Sequence, residues 1–432
     1  MKVLVIGSGG REHALVWALK QTSRCPLELF CAPGNAGIAE IGECVAISAT
    51  DVRSLAQFAE QKRMDLTMVG PEAALAEGVV DEFERRGLRI VGPTKKAAHL
   101  ETSKAFAKDF MQRHGIPTAR YQVVSSVDEA LEFLRSGEFG SETSPVVVKA
   151  DGLAAGKGVV VAASRAEAED AVRSIAALGS AAETIILEEA LFGREASVLL
   201  FSDGQDFRLM PPARDHKRIG EGDTGPNTGG MGSITDPSVL DDKTLKAVVR
   251  EIVEPTLRGA RQEGIPFRGI LFVGLIVTAE GPKVLEYNVR FGDPETQAIL
   301  VRLQTDLTEI FAAIADQHLG EVDVQWSNES SACVVLAARG YPARPETGAQ
   351  IAGLNDIGQR DQIVLFHAAT KRGPEGEWLT SGGRVLGVTA TGKTLEEALT
   401  RCYDATADIH WDGMQYRRDI GRTATPSLTA RR

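Results

Sequence analysis

The sequence lacks the features that define several common classes of protein. No run of roughly 18 apolar residues occurs, so nothing in it predicts a helix that spans a bilayer. The apolar run at the start follows a single lysine, Lys2, and no small-residue cleavage site comes after it. That pattern favours a buried strand over a secretion signal. We therefore expect a cytoplasmic protein without membrane contact.

Cysteine and histidine are also scarce. The chain has five cysteines, an odd number with no CxxC pair, which favours reduced thiols over a disulfide framework. The seven histidines are scattered, and the H-E-x-x-H and G-x-S-x-G motifs do not occur, so neither a zinc site nor a nucleophile elbow is predicted. Basic residues (48) are fewer than acidic ones (59), and the net charge of −11 disfavours a nucleic-acid partner.

Glycine, in contrast, is abundant. The 432 residues include 44 glycines, where an average composition of about 7% would give roughly 30. Many of them lie in three segments: GSGG (7–10), GLAAGKG (152–158) and the stretch 214–232. Glycine lets a backbone approach a ligand closely, so each segment is a candidate for binding a phosphate or a small substrate.

The hydrophobic pattern predicts an α/β protein of several units. Short β-branched runs alternate with helix-like stretches over 1–100, including one helix over about 73–86, which indicates a parallel sheet with helices on its faces. A smaller α+β pattern follows, and a mixed α+β pattern ends the chain. The predicted units are 1–103, 104–119 together with 191–327, 120–190, and 328–432.

The first glycine segment joins the first strand to the first helix. A dinucleotide-binding fingerprint needs three glycines and an acidic residue about 20 positions later. Gly7 and Gly9 fit, but Glu12 occupies the third glycine position, and the second strand ends in Cys31-Ala32-Pro33 without the acid. A nicotinamide cofactor is therefore disfavoured. The segment is either a tight turn or, because Gly10 is more than a turn requires, an anion site.

The second glycine segment resembles a phosphate-binding P-loop but departs from it. Gly152 and Gly156 are one residue too close, and Gly158 follows Lys157 where a hydroxyl residue belongs. The flanking apolar runs predict two strands joined by a glycine hairpin. This hairpin is either an ordinary turn or, since Lys149 precedes it, a flexible cover for phosphates.

A further informative segment, apart from the three glycine segments, is VLEYNVRFGDPETQ (284–297). Glu286, Asn288 and Arg290 alternate by two, so in a strand all three side chains project from one face. A carboxylate and an amide oxygen suit Mg²⁺, and a neighbouring arginine suits a phosphoryl group. The same spacing is also typical of a solvated strand face.

The stretch 214–238 shows no apolar period, which predicts a long loop without regular structure. Its first part combines Arg214, Asp215, His216, Lys217 and Arg218 with six glycines. Such a loop either binds an anion or small substrate, or links two units.

Taken together, these motifs resemble a known family. VVVKADGLAAGKG, DHKRIGEGDTGPNTGGMG and NVRFGDPETQ resemble glycinamide ribonucleotide synthetases of the ATP-grasp superfamily, and the resemblance extends over essentially the whole chain. It implies an N-terminal phosphoribosylamine-binding domain (1–103), an ATP-grasp core (104–119 and 191–327), an ATP-grasp lid (120–190) and a C-terminal mixed domain (328–432). It also implies ligation of glycine to 5-phosphoribosylamine through glycyl phosphate, with release of ADP and phosphate.

The resemblance further implies roles for individual residues. The expected ATP contacts are Lys104, Lys149, Gly152, Gly156, Lys157, Gly158, Glu188, Glu189, Ala190, Leu191 and Glu195. The expected ligands of Mg²⁺ or Mn²⁺ are Glu286 and Asn288. The expected catalytic residues are Arg290, Lys149 and Asp215. The expected substrate contacts are Gly9, Gly10, Arg11, Asn35, Asp215, Lys217, Thr228, Gly229, Gly230, Met231, Asp293 and Glu295.

Several alternatives stay open on the sequence alone. The same ATP-site residues would serve another ATP-grasp carboxylate–amine ligase or a carboxylase, and a non-catalytic nucleotide-binding module is a further alternative. Many ATP-grasp enzymes carry a second metal-binding acid on the strand before Glu286, but here that strand is GILFVGLIVT (269–278). One or two metal ions are therefore expected. We also expect a monomer, since no heptad pattern occurs.

Overall fold

The computed structural model describes residues 1–139, 141–152, 158–177, 184–354, 357 and 360–422. The N-terminal unit contains the predicted parallel sheet, in the order β3-β2-β1-β4-β5. Its elements are β1 (Lys2–Gly7), α1 (Gly10–Thr22), β2 (Glu28–Pro33), β3 (Glu43–Cys44), α2 (Val52–Lys62), β4 (Leu66–Val69), α3 (Glu72–Ala76), α4 (Val79–Arg85) and β5 (Ile90–Val91). Since β2 and β4 flank β1 on opposite sides, a crevice forms beyond the carboxyl end of β1.

The prediction of one continuous helix over 73–86 is wrong in one respect. The structure divides it into α3 and α4 at Gly78, whose φ of 82° is left-handed. A left-handed residue cannot continue a right-handed helix, so α3 ends and a new helix begins. Two further helices, α5 (His99–Thr102) and α6 (Lys104–Arg113), lead out of the unit. Ser103 caps α6 by accepting a hydrogen bond from the N–H of Phe106.

The next unit is a four-stranded antiparallel sheet in the order β6-β9-β7-β8. Its elements are β6 (Tyr121–Val124), α7 (Val127–Ser136), β7 (Val146–Ala150), β8 (Val159–Ala162), α8 (Arg165–Ala176) and β9 (Ile185–Glu189). Both helices pack on one face around apolar residues such as Val148, Leu131 and Val172. These helices do not cover the opposite face of the sheet, which lines the crevice. Gly156 and Lys157 of the glycine hairpin lie outside the described residues.

A nine-stranded sheet forms the centre of the molecule, in the order β17-β16-β10-β12-β15-β18-β22-β19 with β11 beside β10. Its strands are β10 (Arg194–Asp203), β11 (Phe207–Leu209), β12 (Ala213–Asp215), β15 (Gly232–Thr235), β16 (Arg268–Thr278), β17 (Gly281–Asn288), β18 (Ser330–Ala337), β19 (Ile363–His367) and β22 (Arg384–Gly392). Because β15 pairs with β18, the sheet continues across position 328 from the predicted core into the predicted C-terminal unit.

Two short hairpins and several helices complete the fold. The hairpins are β13 (Arg218–Gly220) with β14 (Thr224–Asn227), and β20 (Thr370–Arg372) with β21 (Trp378–Thr380). The helices are α9 (Asp242–Val248), a π-helical turn (Val249–Val253), α10 (Glu254–Gln262), α11 (Glu295–Leu300), α12 (Leu307–Asp316), α13 (Leu395–Asp408) and 3₁₀ turns at Ile38–Glu40 and Leu319–Glu321. None of the helices in the described ranges is long and apolar enough to cross a membrane.

The prediction of an irregular loop over 214–238 is wrong, because this stretch includes the end of β12 and the whole of β13, β14 and β15. These strands are short and polar, so they carry no hydrophobic alternation. β12 is stabilised as a strand by pairing with β10 and β15. β15 is stabilised by pairing with β18, which lies about a hundred residues further along the chain. Such long-range hydrogen bonds leave no local pattern in the sequence.

The N-terminal unit docks on the central sheet through a shared apolar core. Val3 of β1, Phe201 of β10 and Phe311 of α12 belong to one cluster of fully buried side chains. Phe201 packs edge-to-face against Phe291, just beyond the end of β17. Close packing of this kind fixes the position of the glycine turn at the end of β1 relative to β17.

Candidate active site

One face of β17 lines a cavity of about 330 Å³ between the N-terminal unit, the four-stranded sheet and the central sheet. Glu286, Asn288 and Arg290 all contribute to its wall, as the spacing by two predicted. The residues between them, Tyr287 and Val289, are 3% and 1% exposed and belong to the apolar core. The strand itself ends at Asn288, and Arg290 continues the alternation beyond it.

Lysine side chains stand on the opposite wall of this cavity. Lys104, at the start of α6, donates to the carbonyl oxygen of Gly152 over 2.9 Å. The ammonium of Lys149 on β7 lies 2.7 Å from Glu188 on β9, which also pairs with Lys108 at 2.8 Å. Burial opposes the charge of Glu188, but the two lysines more than offset it and hold its pKa below the usual range. On this wall three lysines, Lys104, Lys108 and Lys149, outnumber the single Glu188, so the wall has an excess of positive charge that suits phosphates.

The metal candidates Glu286 and Asn288 project into the same cavity. Lys217, 3.3 Å from Oε1 of Glu286, is the main reason that the pKa of this carboxyl falls to about 2, against the opposing effect of burial. Glu286 is therefore ionised, as a metal ligand must be. Its partner across the sheet is Gly274, which agrees with the missing acid on that strand. A carboxylate and an amide oxygen fit a hard cation that takes its remaining ligands from water and phosphate.

A second cavity, of about 200 Å³, adjoins the first between β9 and the central sheet. Its apolar lining comes from Val147, Val159, Val161, Leu191 and Leu285. Glu189 and Glu195 line it as well. A slot with apolar walls and polar edges suits a flat heterocycle joined to a sugar.

Acidic side chains crowd on the far side of Glu286. The pKa of Asp215, at the end of β12, is raised well above its usual range by burial and by Glu295. Burial likewise raises the pKa of Glu295, which accepts a hydrogen bond from Ser197. Gly230 lies so close that a Cβ there would stand 2.8 Å from Oδ1 of Asp215, so this position requires glycine. Asp215 and Glu295 thus form a pair of neighbouring carboxyl groups, which suits the ammonium of an amino acid.

The rest of the 228–231 loop supports this pocket. Thr228 donates from Oγ1 to the carbonyl oxygen of Lys217 and accepts a hydrogen bond from the N–H of Gly230. Gly229 donates from its N–H to the hydroxyl of Tyr341. Met231, in contrast, is fully buried, and its N–H donates to the carbonyl oxygen of His216. The structure thus gives Met231 a packing position beneath the loop rather than a place on its surface.

The glycine turn at the end of β1 reaches the same crevice. A Cβ on Gly10 would lie 2.8 Å from Gln297, and one on Gly9 would lie 3.7 Å from Asp293. The turn therefore meets the RFGDPETQ segment directly. Glu12, which replaces the third glycine of the dinucleotide fingerprint, accepts a hydrogen bond from the N–H of Gly9 at 2.6 Å. Its carboxylate thus fixes the conformation of the turn.

Two residues predicted to contact substrate have structural partners in this turn. Arg11 is paired with Glu12 at 2.7 Å and donates to the carbonyl oxygen of Phe291. Asn35 donates to the carbonyl oxygens of Ser8 and His367, and its own Oδ1 accepts from the backbone at Gly37 and Ile38. The side chain of Asn35 therefore ties the turn to the C-terminal unit.

The sequence interpretation missed four charged residues of the site. Glu72 and Glu101 contact Arg290, Lys108 completes the ion pairs of Glu188, and Arg384 pairs with Asp293 at 3.0 Å while donating to the carbonyl oxygen of Gly229. Each lies far from its partner in sequence. The one local signal was the Gly382–Gly383 turn, which precedes Arg384 and gives no hint of its partner.

The fold and site together define an ATP-grasp protein: a small antiparallel sheet and a larger sheet enclose a cavity, with lysines on one wall and an E-x-N-x-R strand on the other. Family profiles described as phosphoribosylglycinamide synthetase match residues 1–101 (N domain), 102–296 (ATP-grasp domain) and 331–423 (C domain). The chain belongs to the phosphoribosylglycinamide synthetase family, which confirms the resemblance seen in the sequence.

Individual relatives agree with this assignment. A phosphoribosylamine–glycine ligase of Xanthomonas axonopodis is 49% identical over 98% of this chain and 97% of its own length, and one of Escherichia coli is 48% identical over 98% of each. The structure of a phosphoribosylamine–glycine ligase from Thermotoga maritima, 34% identical, covers 97% of this chain and 100% of its own with a TM-score of 0.82. A biotin carboxylase from Campylobacter jejuni, 16% identical with a TM-score of 0.72, covers 96% of this chain and 92% of its own and shares the fold alone.

Proposed function

We propose that this protein joins glycine to 5-phosphoribosylamine at the expense of ATP, giving glycinamide ribonucleotide, ADP and phosphate in purine biosynthesis. One observation carries the proposal: a cavity with lysines on one wall, the carboxylates Asp215 and Glu295, and the glycine turn after β1 lie around the segment 286–295. These three environments match the triphosphate, the glycine ammonium and the sugar phosphate, respectively. The full-length similarity to ligases of that name supports the same reaction.

The first step activates the glycine carboxylate. A carboxylate oxygen of glycine attacks the γ-phosphorus of ATP. The bond between this phosphorus and the oxygen of the β-phosphate breaks, which releases ADP and forms glycyl phosphate. Lys104 and Lys149 neutralise the phosphates, and Arg290 stabilises the phosphoryl group in flight. Gly152 and Gly158, which also line this cavity, provide backbone close to the phosphates.

The remaining parts of ATP occupy the neighbouring slot. The backbone of Glu188, Glu189, Ala190 and Leu191 meets the edge of the adenine, and Glu195 binds the ribose hydroxyls. Glu286 and Asn288 would hold one or two Mg²⁺ or Mn²⁺ ions, which would supply positive charge to offset that of the phosphates.

The second step forms the amide bond. The amine of phosphoribosylamine attacks the carbonyl carbon of glycyl phosphate, expels phosphate and loses a proton. Asp215 holds the glycine ammonium with Lys217 and the 228–230 loop nearby. Gly9, Gly10 and Arg11 receive the sugar phosphate, and Asp293 and Glu295 complete this face. Since glycyl phosphate hydrolyses in water, both steps require a crevice that excludes solvent.

We propose the same division of the chain as the sequence predicts: 1–103 for phosphoribosylamine, 104–119 with 191–327 as ATP-grasp core, 120–190 as lid, and 328–432 as C-terminal domain. The profiles of the N and C domains, 1–101 and 331–423, have similar limits, whereas that of the ATP-grasp domain, 102–296, ends before 327 and does not divide core from lid. A monomer in the cytoplasm is the assembly state and location we propose, consistent with substrates that are small, polar and soluble.

A coupled assay tests the function. ADP and phosphate release is measured with ATP, glycine and phosphoribosylamine, and then with each component omitted in turn. We expect turnover only with all three, and glycinamide ribonucleotide as the product by mass spectrometry. Formation of AMP and pyrophosphate, or full turnover without glycine, would exclude the proposed reaction.

A further inference from the structure

Arg290 is held by two carboxylates that belong to the N-terminal unit rather than to its own strand. Its Nη2 lies 2.9 Å from Oε1 of Glu101, and its Nε donates to Oε2 of Glu72 over 3.2 Å. Glu101 is on α5 and Glu72 begins α3, about 190 and 220 residues away in the chain. Both contacts therefore depend on the docking of the N-terminal unit against the central sheet.

Glu101 also holds the backbone next to Arg290. Its Oε2 accepts a hydrogen bond from the N–H of Val289 at 2.7 Å. One carboxylate thus fixes both the main chain and the guanidinium of the same short segment. The side chain of Glu101 is only 6% exposed, so the ion pair is shielded from water. A shielded ion pair with a second hydrogen bond permits few orientations.

The other contacts of the guanidinium leave one nitrogen less engaged than the rest. Nη2 also donates to Oδ1 of Asn288 at 3.0 Å, and Nη1 donates to the carbonyl oxygen of Phe291 at 3.1 Å. Nη1 carries two N–H groups, and in the part of the chain that the structure describes its one protein acceptor is this carbonyl. The contacts from Glu101 and Glu72 thus fix the Nε and Nη2 atoms of Arg290, a residue that lines the cavity, while Nη1 keeps one N–H for a ligand.

We propose that Glu101 is a positioning residue that holds the Arg290 guanidinium in the orientation needed for phosphoryl transfer. This inference rests on the proposed function, because the role of Arg290 comes from it. It goes further in assigning part of the catalytic geometry to the N-terminal unit. A displacement of about 1 Å in such a group costs about 100-fold in rate.

Glu101→Gln is the direct test, because glutamine keeps an oxygen for the N–H of Val289 but removes the charge that pairs with Arg290. We expect kcat for ADP release to fall about 100-fold. The KM for ATP and the ATP dissociation constant from calorimetry should change by less than about threefold, since binding does not need the oriented guanidinium. A merely structural role would instead lower the melting temperature and weaken ATP binding together with the rate.

Glu84→Gln is a matched control. It removes another carboxylate–arginine contact between the same two units, to Arg268 at 2.6 Å, away from the cavity. Its kcat should stay within about twofold of the wild type. An equal loss in both variants would assign the effect to docking of the units and overturn the proposal.

A double variant gives the sharper result. In an Arg290→Ala background, Glu101→Gln should cost less than about twofold, because its partner is already gone. A full 100-fold further loss would overturn the proposal.

If Glu101→Gln does not fold, Glu72→Gln is tested in its place. Its kcat should also fall, but only about tenfold, because Glu72 is more exposed than Glu101. Wild type without turnover would refute the proposed function, whereas active wild type and unchanged variants would refute only the positioning role.

Discussion

Glu286 and Asp215 are both carboxylates of one crevice, yet their surroundings shift their acidities in opposite directions. Lys217 is the main cause that lowers the pKa of Glu286 to about 2, with Lys149 adding to it. Burial and the neighbouring Glu295 raise the pKa of Asp215 well above the usual range. The difference follows from the partners: Glu286 faces cations, whereas Asp215 is enclosed beside another carboxylate.

This comparison separates two kinds of binding site. Glu286 keeps its charge at any physiological pH and so offers a permanent ligand for a metal ion beside the phosphates. Asp215 lacks sufficient positive charge in the protein itself, and the ammonium of glycine would supply it. An ammonium beside Asp215 favours its ionised form, so under the proposed function the binding of glycine would be coupled to the ionisation of Asp215.

The largest expected effect lies on the nucleotide side. Arg290→Ala should lower kcat by about 100- to 1,000-fold, because a preorganised donor to the phosphoryl group is lost. ATP binding, measured by calorimetry, should change little. Arg113→Ala, which removes an exposed pair with Glu263, is the control. If binding and rate weaken equally, Arg290 acts in ground-state binding and its proposed role is wrong.

Glu286→Gln tests the permanent charge. The Mg²⁺ concentration that gives half-maximal rate should rise at least about tenfold, because a neutral amide is a poorer ligand than a carboxylate. The measurement is the rate of ADP release during a Mg²⁺ titration. Glu280→Gln, on the exposed turn before β17, should leave the titration unchanged. An unchanged titration for Glu286→Gln would remove this residue from the metal site.

Asp215→Asn tests the glycine side. A charge-assisted contact of about 1.5–3 kcal/mol corresponds to a rise of about 10- to 100-fold in the KM for glycine. The KM for ATP should change by less than about threefold. Asp242→Asn, an exposed position on α9, serves as the control. If the KM for ATP rises as much as that for glycine, the role of Asp215 is not specific to glycine binding.

The smallest expected effect is a pH dependence of the KM for glycine. A raised pKa leaves a larger protonated fraction of Asp215 at a given pH, so the KM should increase as the pH falls, with a total rise smaller than that caused by Asp215→Asn. The rise should begin well above the ordinary aspartate pKa of about 3.9. Asp215→Asn should abolish it. The measurement is the KM for glycine, obtained from initial rates between about pH 5 and pH 8. A KM that does not change with pH would contradict the raised pKa of Asp215.

The sequence supported the fold most strongly where a pattern was local. The alternation over 1–100 predicted the parallel sheet, and the spacing of Glu286, Asn288 and Arg290 predicted a shared face. The stretch 214–238 shows where such reasoning fails, because its polar strands exist through pairing with distant neighbours. The helix predicted over 73–86 fails for a smaller reason, the left-handed conformation of Gly78.

By itself, the sequence determined which chemical groups this protein possesses and which of them share a strand or a turn, because backbone geometry imposes a period of two along a strand and lets glycine approach a ligand. Only the tertiary structure decided what those groups face. It brings Glu101 to Arg290 and Glu295 to Asp215. Charge interactions depend on distance through space and on exclusion of water, and neither quantity is written into local spacing.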